Sequence, residues 1–225
     1  MAPDETSVVS LARFNGRHLI VGNTFEDAGA CQLYAPNYEC IVAENQSRRT
    51  SGYSACGWLN YDEKTWGGLT ADFSWHNQFL DNRNIEGNGW GGYRTSYDGY
   101  PGGGLLVYAH NTEPDYPFPV SCGHVIRRHI IENNSAIRIM GAVKGVLVEK
   151  CWLKNNPHGI VVEKSNPSLL KLSDVQAQHK DVPGVSFPVD VLLRKNTFEN
   201  IDLPCSGSAA QAVNIVDLTD EAGNL

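Results

Sequence analysis

Short apolar runs recur along this chain, each followed by a turn residue and then by one bulky apolar residue. Four copies are clear, at residues 18–27, 124–133, 146–155 and 191–200, and two weaker ones occupy 39–45 and 73–81. Their turn residues are Asn23, Asn45, Asn77, His129, Cys151 and Asn196. Three places before the turn residue lie Ile20, Val42, Ile126, Val148 and Leu193. Because strand side chains alternate between two faces, the pattern predicts two short strands per copy and an inward column of these five residues.

The spacing of the copies predicts how these units are arranged. Two of the intervals between turn residues are 22 residues long, and a third short strand follows in some copies, as at Gly159–Val162. One coil of three strands cannot bury its own apolar face, whereas stacked coils share a continuous core. We therefore predict one all-β domain over residues 1–225, a single-stranded right-handed parallel β-helix (a solenoid) of about seven or eight coils with long loop insertions.

Asparagine at the turn position has a physical role. Asn tolerates the left-handed backbone conformation and bonds to neighbouring backbone groups. In stacked coils, Asn23, Asn45, Asn77 and Asn196 would bond to one another along the stack, with His129 and Cys151 interrupting the ladder. In the other interpretation, these residues only mark turns.

The pattern V-[LI]-[VL]-x-x-N-x-[FI]-x-[ND], as in Val191–Asn200, resembles the coils of right-handed β-helix proteins with a pectin-lyase-like fold. The resemblance covers roughly residues 14–201, with an interrupted middle. That group includes polysaccharide lyases, glycoside hydrolases, epimerases, phage tailspikes and adhesins, so the resemblance implies a fold and leaves the activity open. The polygalacturonase motifs NTD, DD, GHG and RIK are matched only in part in this sequence. No catalytic residue is therefore carried over from that family.

The composition argues against several classes of binding partner. A formal net charge of −7 argues against a nucleic-acid binder, which is usually basic. No apolar run is long enough to span a bilayer, so we expect no membrane partner. The six cysteines show no CxxC or metal-ligand spacing, and we expect neither a metal nor a cofactor. Cys40 and Cys151 lie within apolar runs and should pack in the core. A disulfide involving Cys31, Cys56 or Cys122 is an alternative if the protein is exported.

The start of the chain, residues 1–7, lacks the basic and apolar regions of a secretory signal. The localisation is therefore left between intracellular and exported, with a signal outside this sequence. No amphipathic helix precedes Phe14 to cover the end of the stack. A second copy of the chain, the first dozen residues or an adjoining segment would then cover that edge.

The stretch from 53 to about 120 departs from the repeat and reads as a loop-rich insertion. Of the 21 aromatic residues in the chain, 14 lie between Tyr53 and Phe118, and eight glycines lie from Gly87 to Gly104. Long loops on a rigid scaffold often carry binding sites, and aromatic faces suit sugar rings. We predict that Trp66, Trp75, Trp90 and Tyr97 contact a polysaccharide or oligosaccharide. The alternatives are that the rings pack the loops onto the stack, or that they meet another subunit.

The same stretch supplies candidate chemistry for an enzyme. A glycosidase needs two facing carboxylates, and a lyase needs a base and a cation to neutralise the substrate carboxylate. Asp72, Asp81 and Asp98 are the predicted acids, with His76 and Arg94 for elimination. The predicted function is thus carbohydrate binding or processing, as a polysaccharide lyase or glycoside hydrolase. The alternatives are a non-catalytic structural or adhesive module, as in tailspikes, and an incomplete β-helix segment.

A further feature precedes three of the turn residues. The pairs Arg127-Arg128, Glu149-Lys150 and Arg194-Lys195 would stack into a stripe of five cations and one carboxylate. Such a stripe could hold a uronate- or sulfate-bearing polysaccharide, or it could be a solvated strand face with Glu149 paired to a neighbouring arginine.

Overall fold

The computed structural model describes residues 16–27, 38–50, 52–62, 68–87, 104–111, 113, 115–165 and 182–216. These residues are all-β, with one short 3-10 segment at Ala210–Ala212 and no α-helix among them. No helix in this part of the chain has the length and apolarity needed to cross a membrane. In chain order the strands are β1 (Leu19–Val21), β2 (Thr24–Glu26), β3 (Ile41–Ala43), β4 (Gln46–Arg48), β5 (Tyr53–Asp62), β6 (Gly68–Asp72), β7 (Ser74–Trp75), β8 (Gln78–Leu80), β9 (Arg83–Ile85), β10 (Leu105–Asn111), β11 (Ser121–Arg127), β12 (Ile130–Glu132), β13 (Ile137–Gly141), β14 (Val143–Glu149), β15 (Trp152–Lys154), β16 (Ile160–Glu163), β17 (Val189–Arg194), β18 (Thr197–Glu199), β19 (Cys205–Ser206) and β20 (Val213–Val216).

The strands form three sheets that the chain visits in rotation. The first sheet has the order β1-β3-β8-β11-β14-β17-β20, with β7 also on β11; the second is β2-β4-β9-β12-β15-β18; the third is β6-β5-β10-β13-β16-β19. All pairings between these named strands are parallel except the β5–β6 hairpin. We call each first-sheet strand, with the second- and third-sheet strands that follow it, one level of the stack. This arrangement is compatible with the predicted parallel β-solenoid.

The predicted inward column is confirmed. Residue pairing aligns Ile20, Val42, Ile126, Val148 and Leu193 at one position of the first sheet. Val42, Ile126, Val148 and Leu193 are buried, and Ile20, at the outermost level, is partly buried. Cys40 and Cys151 are buried as well, as their position in apolar runs predicted.

The predicted register of the third copy is wrong. Phe79 pairs with Val42 and Ile126 in the first sheet, so it belongs to the inward column itself. Asn82 therefore stands at the turn position, five residues after the predicted Asn77. Asn77 instead sits beside Cys40 and His124, in the bend between β7 and β8: its Oδ1 accepts the Cys40 N–H at 2.9 Å, and its own N–H donates to Nδ1 of His124 at 3.3 Å. Two Asn-containing bends near one strand give the same local pattern.

Each of the first six levels bends at three corners where the backbone is left-handed. Corner one lies before or within the first-sheet strands and holds Arg17, Glu39, His76, Gly123, Gly145 and Asp190. Corner two, between the first and second sheets, holds Gly22, Glu44, Asp81, Arg128, Lys150 and Lys195. Corner three, after the second sheet, holds Asp27, Arg49, Glu86, Asn133, Asn155 and Asn200. Fifteen of these eighteen residues are not glycine, so the corners carry a repeated backbone cost that the stacking must offset.

Inside corner two runs an asparagine ladder in two pieces. Asn45 Oδ1 accepts from the backbone and side chain of Asn23 at 2.9 and 3.0 Å, and Asn82 Oδ1 accepts from Asn45 in the same way at 3.0 Å. His129 and Cys151 interrupt the ladder, as the sequence indicated, and Asn196 resumes it by accepting the Cys151 N–H at 2.9 Å. The ladder interpretation is therefore confirmed for Asn23 and Asn45, with Asn82 in place of Asn77. Asn196 bonds to the backbone of Cys151 and of Val148 rather than to another asparagine.

Candidate functional site

Four aromatic rings form a row at the surface, which we call the aromatic cluster: the partly buried Phe73 and the exposed Trp75, Tyr116 and Phe118. Phe73 stacks on Trp75 at 4.8 Å and on Phe118 at 6.1 Å between ring centroids, and Phe118 meets Tyr116 edge-on at 6.4 Å. Trp75, Tyr116 and Phe118 are 40%, 47% and 39% exposed. Large aromatic side chains so exposed, and gathered in one row, are typical of a binding surface.

Two local features hold the aromatic cluster in place. Ser74 points inward and is fully buried, so the next residue of β7, Trp75, points outward. The side-chain amide of the buried Asn111 donates to the carbonyl oxygens of Tyr116 and Phe118 at 2.7 and 2.9 Å. That pair of hydrogen bonds clamps the segment carrying the last two rings against the end of β10.

Polar groups lie near Trp75 on the two preceding levels. Tyr38 forms a parallel bridge with Trp75, and the Glu39 N–H donates to the Trp75 carbonyl at 2.8 Å. The Arg17 guanidinium lies 6.0 Å from the Tyr38 ring centroid and donates to the Glu39 carboxylate at 2.7 Å. His76 follows Trp75 directly and is exposed at corner one. The aromatic cluster is thus bordered by a carboxylate, a guanidinium and an imidazole.

The two predicted acids within the described residues do not face each other. Asp72 is fully buried at the end of β6, opposite Trp58 in the β5–β6 hairpin. Asp81 lies at corner two, beyond the far end of β8 from Trp75, and accepts two hydrogen bonds from Arg128 at 2.5 and 2.6 Å. Those hydrogen bonds lower the pKa of Asp81. An ion-paired Asp81 and a buried Asp72 do not make the facing pair that hydrolysis requires.

Of the other predicted site residues, two lie within the described residues and five lie outside them. Trp75 and His76 lie side by side at the aromatic cluster, as described above. Trp66, Trp90, Arg94, Tyr97 and Asp98 fall outside the described residues, so their predicted roles stay predictions. Tyr38, Tyr116 and Phe118 were not singled out from the sequence. The sequence around them gave no indication of which aromatic rings the fold would leave exposed.

A second layer of side chains lies on the outer face of the third sheet. Cys56, Tyr108 and Met140 occupy aligned positions there and are buried together. The nearby Arg138 donates to Glu163 at 2.5 Å, with both side chains largely buried. The His110 imidazole packs edge-on against Tyr108 at 4.2 Å, and burial lowers the pKa of His110 to about 3. Cys56, Tyr108, Met140 and His110 are thus buried away from solvent.

Within the described residues, no three His, Cys, Asp or Glu side chains gather closely enough to hold a metal ion. The candidate site is therefore the aromatic cluster with its polar border. No family model matches this chain, and neither a curated protein nor a solved structure matches it.

Proposed function

We propose that this protein is a right-handed parallel β-helix of about seven or eight coils that binds carbohydrate through the aromatic cluster. The observation that carries the proposal is the exposed row of Trp75, Phe118 and Tyr116 on a rigid stack of parallel strands. A sugar ring presents a flat array of C–H groups on one face, which packs on an aromatic ring with little loss of side-chain entropy. The rotation of the chain through three parallel sheets supports the β-helix part of the proposal.

The polar border gives the cluster directionality. Sugar hydroxyls both donate and accept hydrogen bonds, so a binding site needs both kinds of partner close to the stacking ring. Glu39 supplies acceptor oxygens, Arg17 supplies donors, and His76 supplies ring nitrogens. All three are exposed at corner one on adjacent levels. A chain of sugars running along the stack would meet these groups in succession.

The catalytic version of the proposal is a polysaccharide lyase or glycoside hydrolase acting at this cluster. Because Asp72 is buried and Asp81 is ion-paired, hydrolysis would need Asp98, and elimination would use His76 or Arg94. Asp98 and Arg94 lie outside the described residues. Release of reducing ends tests hydrolysis, and ultraviolet absorbance of unsaturated uronates tests elimination. Turnover of a bound polysaccharide that Asp98→Asn or Arg94→Gln abolishes, with binding retained, would support the enzyme.

Binding is tested by replacing two exposed rings. Trp75→Ala and Phe118→Ala should weaken binding to the glycans that the wild type retains from a polysaccharide panel, measured by calorimetry or affinity electrophoresis. Each lost ring should lower affinity roughly 2- to 10-fold, since stacking of an aromatic pair contributes about 0.5–1.5 kcal/mol beyond area burial. Trp152→Ala is the matched control, because Trp152 is equally exposed, at 39%, on the second sheet away from the cluster.

The competing function is a non-catalytic structural or adhesive module in which the rings serve only packing. In that case Trp75→Ala and Phe118→Ala would lower the melting temperature strongly, and no glycan in the panel would bind. Wild-type binding that Trp75→Ala and Trp152→Ala reduce equally would place the sugar elsewhere on the protein and overturn the assignment to this cluster.

A further inference from the structure

The outward face of the first sheet carries an apolar row over its first six levels, and the seventh carries Asn214 at the aligned position. Residue pairing aligns Leu19, Ile41, Gln78, Val125, Leu147 and Leu192 on six successive levels. Leu19 is 71% exposed and the next five are half-buried, so the row faces outward. Five aliphatic side chains in six positions are unusual on the solvent side of a sheet, where polar residues normally alternate with the buried ones.

Corner two borders this row and divides into an acidic and a basic half. Glu44 and Asp81 occupy levels two and three, whereas Arg128, Lys150 and Lys195 occupy levels four, five and six. Levels are about 4.8 Å apart, so the three cations follow one another closely. Asp81 and Arg128 pair within the chain. Glu44, Lys150 and Lys195 are exposed and form no ion pair or side-chain hydrogen bond among the described residues.

Arg128 pairs with Asp81 within the chain, but Lys150 and Lys195 have no ion-pair partner among the described residues. At corner three the same three levels carry Asn133, Asn155 and Asn200. Asn tolerates the left-handed conformation, and these three also bond to one another along the stack, at 3.2 and 2.8 Å. At corner two, lysine and arginine accept the same backbone conformation and add like-charge repulsion. Partners for these side chains on a second copy would offset that cost.

We propose that this face is the interface of a two-fold homodimer in which the two stacks run antiparallel. A two-fold axis parallel to the first-sheet strands passes between levels three and four. It places level one of one copy opposite level six of the other, level two opposite level five, and level three opposite level four. The apolar row then packs on its own copy, with Leu147 opposite Ile41 of the second copy. At corner two, Glu44 meets Lys150 of the second copy, and Asp81 meets its Arg128. Such an isologous interface uses one self-complementary patch twice.

The antiparallel arrangement is selected by charge. If the two stacks ran in the same direction, corner two of one copy could not meet its own complementary half. With the reversal, the acidic half of each copy faces the basic half of the other, which favours one register over all slipped ones. The reversal also brings together Glu44 and Lys150, each of which is without a charged partner among the described residues.

Arg127, Glu149 and Arg194 also lie on this face, each two residues after a member of the apolar row. Glu149 is only 7% exposed in the protomer and is held between Arg127 at 2.7 Å and Arg194 at 3.5 Å. The cost of removing the Glu149 carboxylate from water is therefore already incurred within one copy, before any dimer forms. The aliphatic stems of the arginines can lie against Val21 and Leu80 of the second copy while the guanidinium groups stay at the rim.

The interface is small, because six levels span only about 24 Å. We expect a reversible dimer whose population rises with protein concentration, as for other interfaces at the low end of the size range. Sedimentation equilibrium or light scattering over a concentration series should show it for the wild type. The aromatic cluster lies across corner one from this face, so sugar binding and dimerisation are separate properties, and either can fail alone.

Exchange of charge at one contact tests the geometry. Glu44→Lys sets two lysines against each other at the contact with Lys150, and Lys150→Glu sets two glutamates against each other there. Each variant alone should therefore be at least 10-fold weaker as a dimer. An equal mixture of the two variants should dimerise, because both contacts are then complementary. The double variant E44K/K150E should recover wild-type dimerisation for the same reason.

The matched control is Glu26→Lys, since Glu26 is exposed on the outward face of the second sheet, and this variant should dimerise normally. A misfolded variant could not recover on mixing, so recovery separates the interface from stability. A wild type that is monomeric up to its solubility limit would overturn the proposal. So would a dimer that Glu44→Lys and Lys150→Glu leave unchanged. A monomeric wild type whose retention on a sulfated polysaccharide resin is lost in Lys150→Glu would overturn it in favour of a polyanion site on the basic half.

Discussion

The imidazole of His76 occupies the space that a side chain at Gly123 would need. A Cβ atom at Gly123 would lie 2.4 Å from Nδ1 of His76 and 2.7 Å from its Cε1. Both residues belong to corner one on adjacent levels, and both are left-handed, Gly123 with a φ of 70° and His76 with a φ of 55°. The glycine therefore fixes where the histidine beside Trp75 can lie.

Gly123→Ala should lower stability more than Gly145→Ala does. Both glycines have the same backbone conformation, but a Cβ at Gly145 meets nothing closer than 3.7 Å. Gly145→Ala should therefore cost only the left-handed conformation, about 1–2 kcal/mol, and Gly123→Ala about 1–3 kcal/mol more from overpacking. Chemical denaturation measures both. In a His76→Ala background the difference should shrink, and an unchanged difference would contradict the packing role of His76.

Val148→Asp should unfold the protein, whereas Leu147→Asp should leave it folded. Val148 is fully buried in the inward column, and a carboxylate there would have no partner. We expect a loss beyond about 4 kcal/mol, which exceeds the usual range for single substitutions. Leu147 is the adjacent residue of β14 and points outward. Circular dichroism and thermal melting compare the two, and a folded Val148→Asp variant would contradict the assigned core.

Asn82→Ala should be much more harmful than Asn23→Ala. Asn82 is fully buried, accepts from the backbone and side chain of Asn45, and donates to the Val42 carbonyl at 2.7 Å. Its removal takes a partner from the buried Asn45 N–H and the Val42 carbonyl, while the Asn45 side-chain amide keeps its bond to the Ile20 carbonyl at 2.9 Å. The expected cost is about 2–4 kcal/mol. Asn23 is exposed at the end of the ladder and should cost at most about 1 kcal/mol. Equal losses in urea denaturation would show that the ladder does not contribute as a buried network.

Acid should destabilise the fold through three buried histidines. Burial lowers the pKa of His110 and His129 to about 3 and that of His124 to about 4. In the unfolded chain these groups titrate near pH 6.5, so the unfolded state binds more protons below that pH. Stability is then full above about pH 6.5 and falls progressively as the pH drops towards 4 and 3. Thermal melts across pH 4–7 should show this fall, and His129→Asn should flatten it. A flat profile in the wild type would contradict neutral buried histidines.

The repeat in the sequence was sufficient to predict the inward column because that signal is local. Ile20, Val42, Ile126, Val148 and Leu193 each stand at one distance from a turn residue, and alternation along a strand decides the rest. The same reasoning misplaced the third copy, because Asn77 and Asn82 both sit in bends around one strand. Only pairing with Val42 and Ile126 distinguishes the two bends, and pairing is a relation between distant segments.

By itself, the sequence determined that the chain alternates short strands with bends, that its core is a stack of aliphatic columns, and that its aromatic residues concentrate before Phe118. Tertiary structure alone decided which of those rings stay exposed and which acids are buried or paired. Trp75 is exposed because Ser74 faces the core, and Asp81 is ion-paired because Arg128 follows it one level on, 47 residues away in the chain. Contacts between levels join residues far apart in the sequence, so a local pattern carries no record of them.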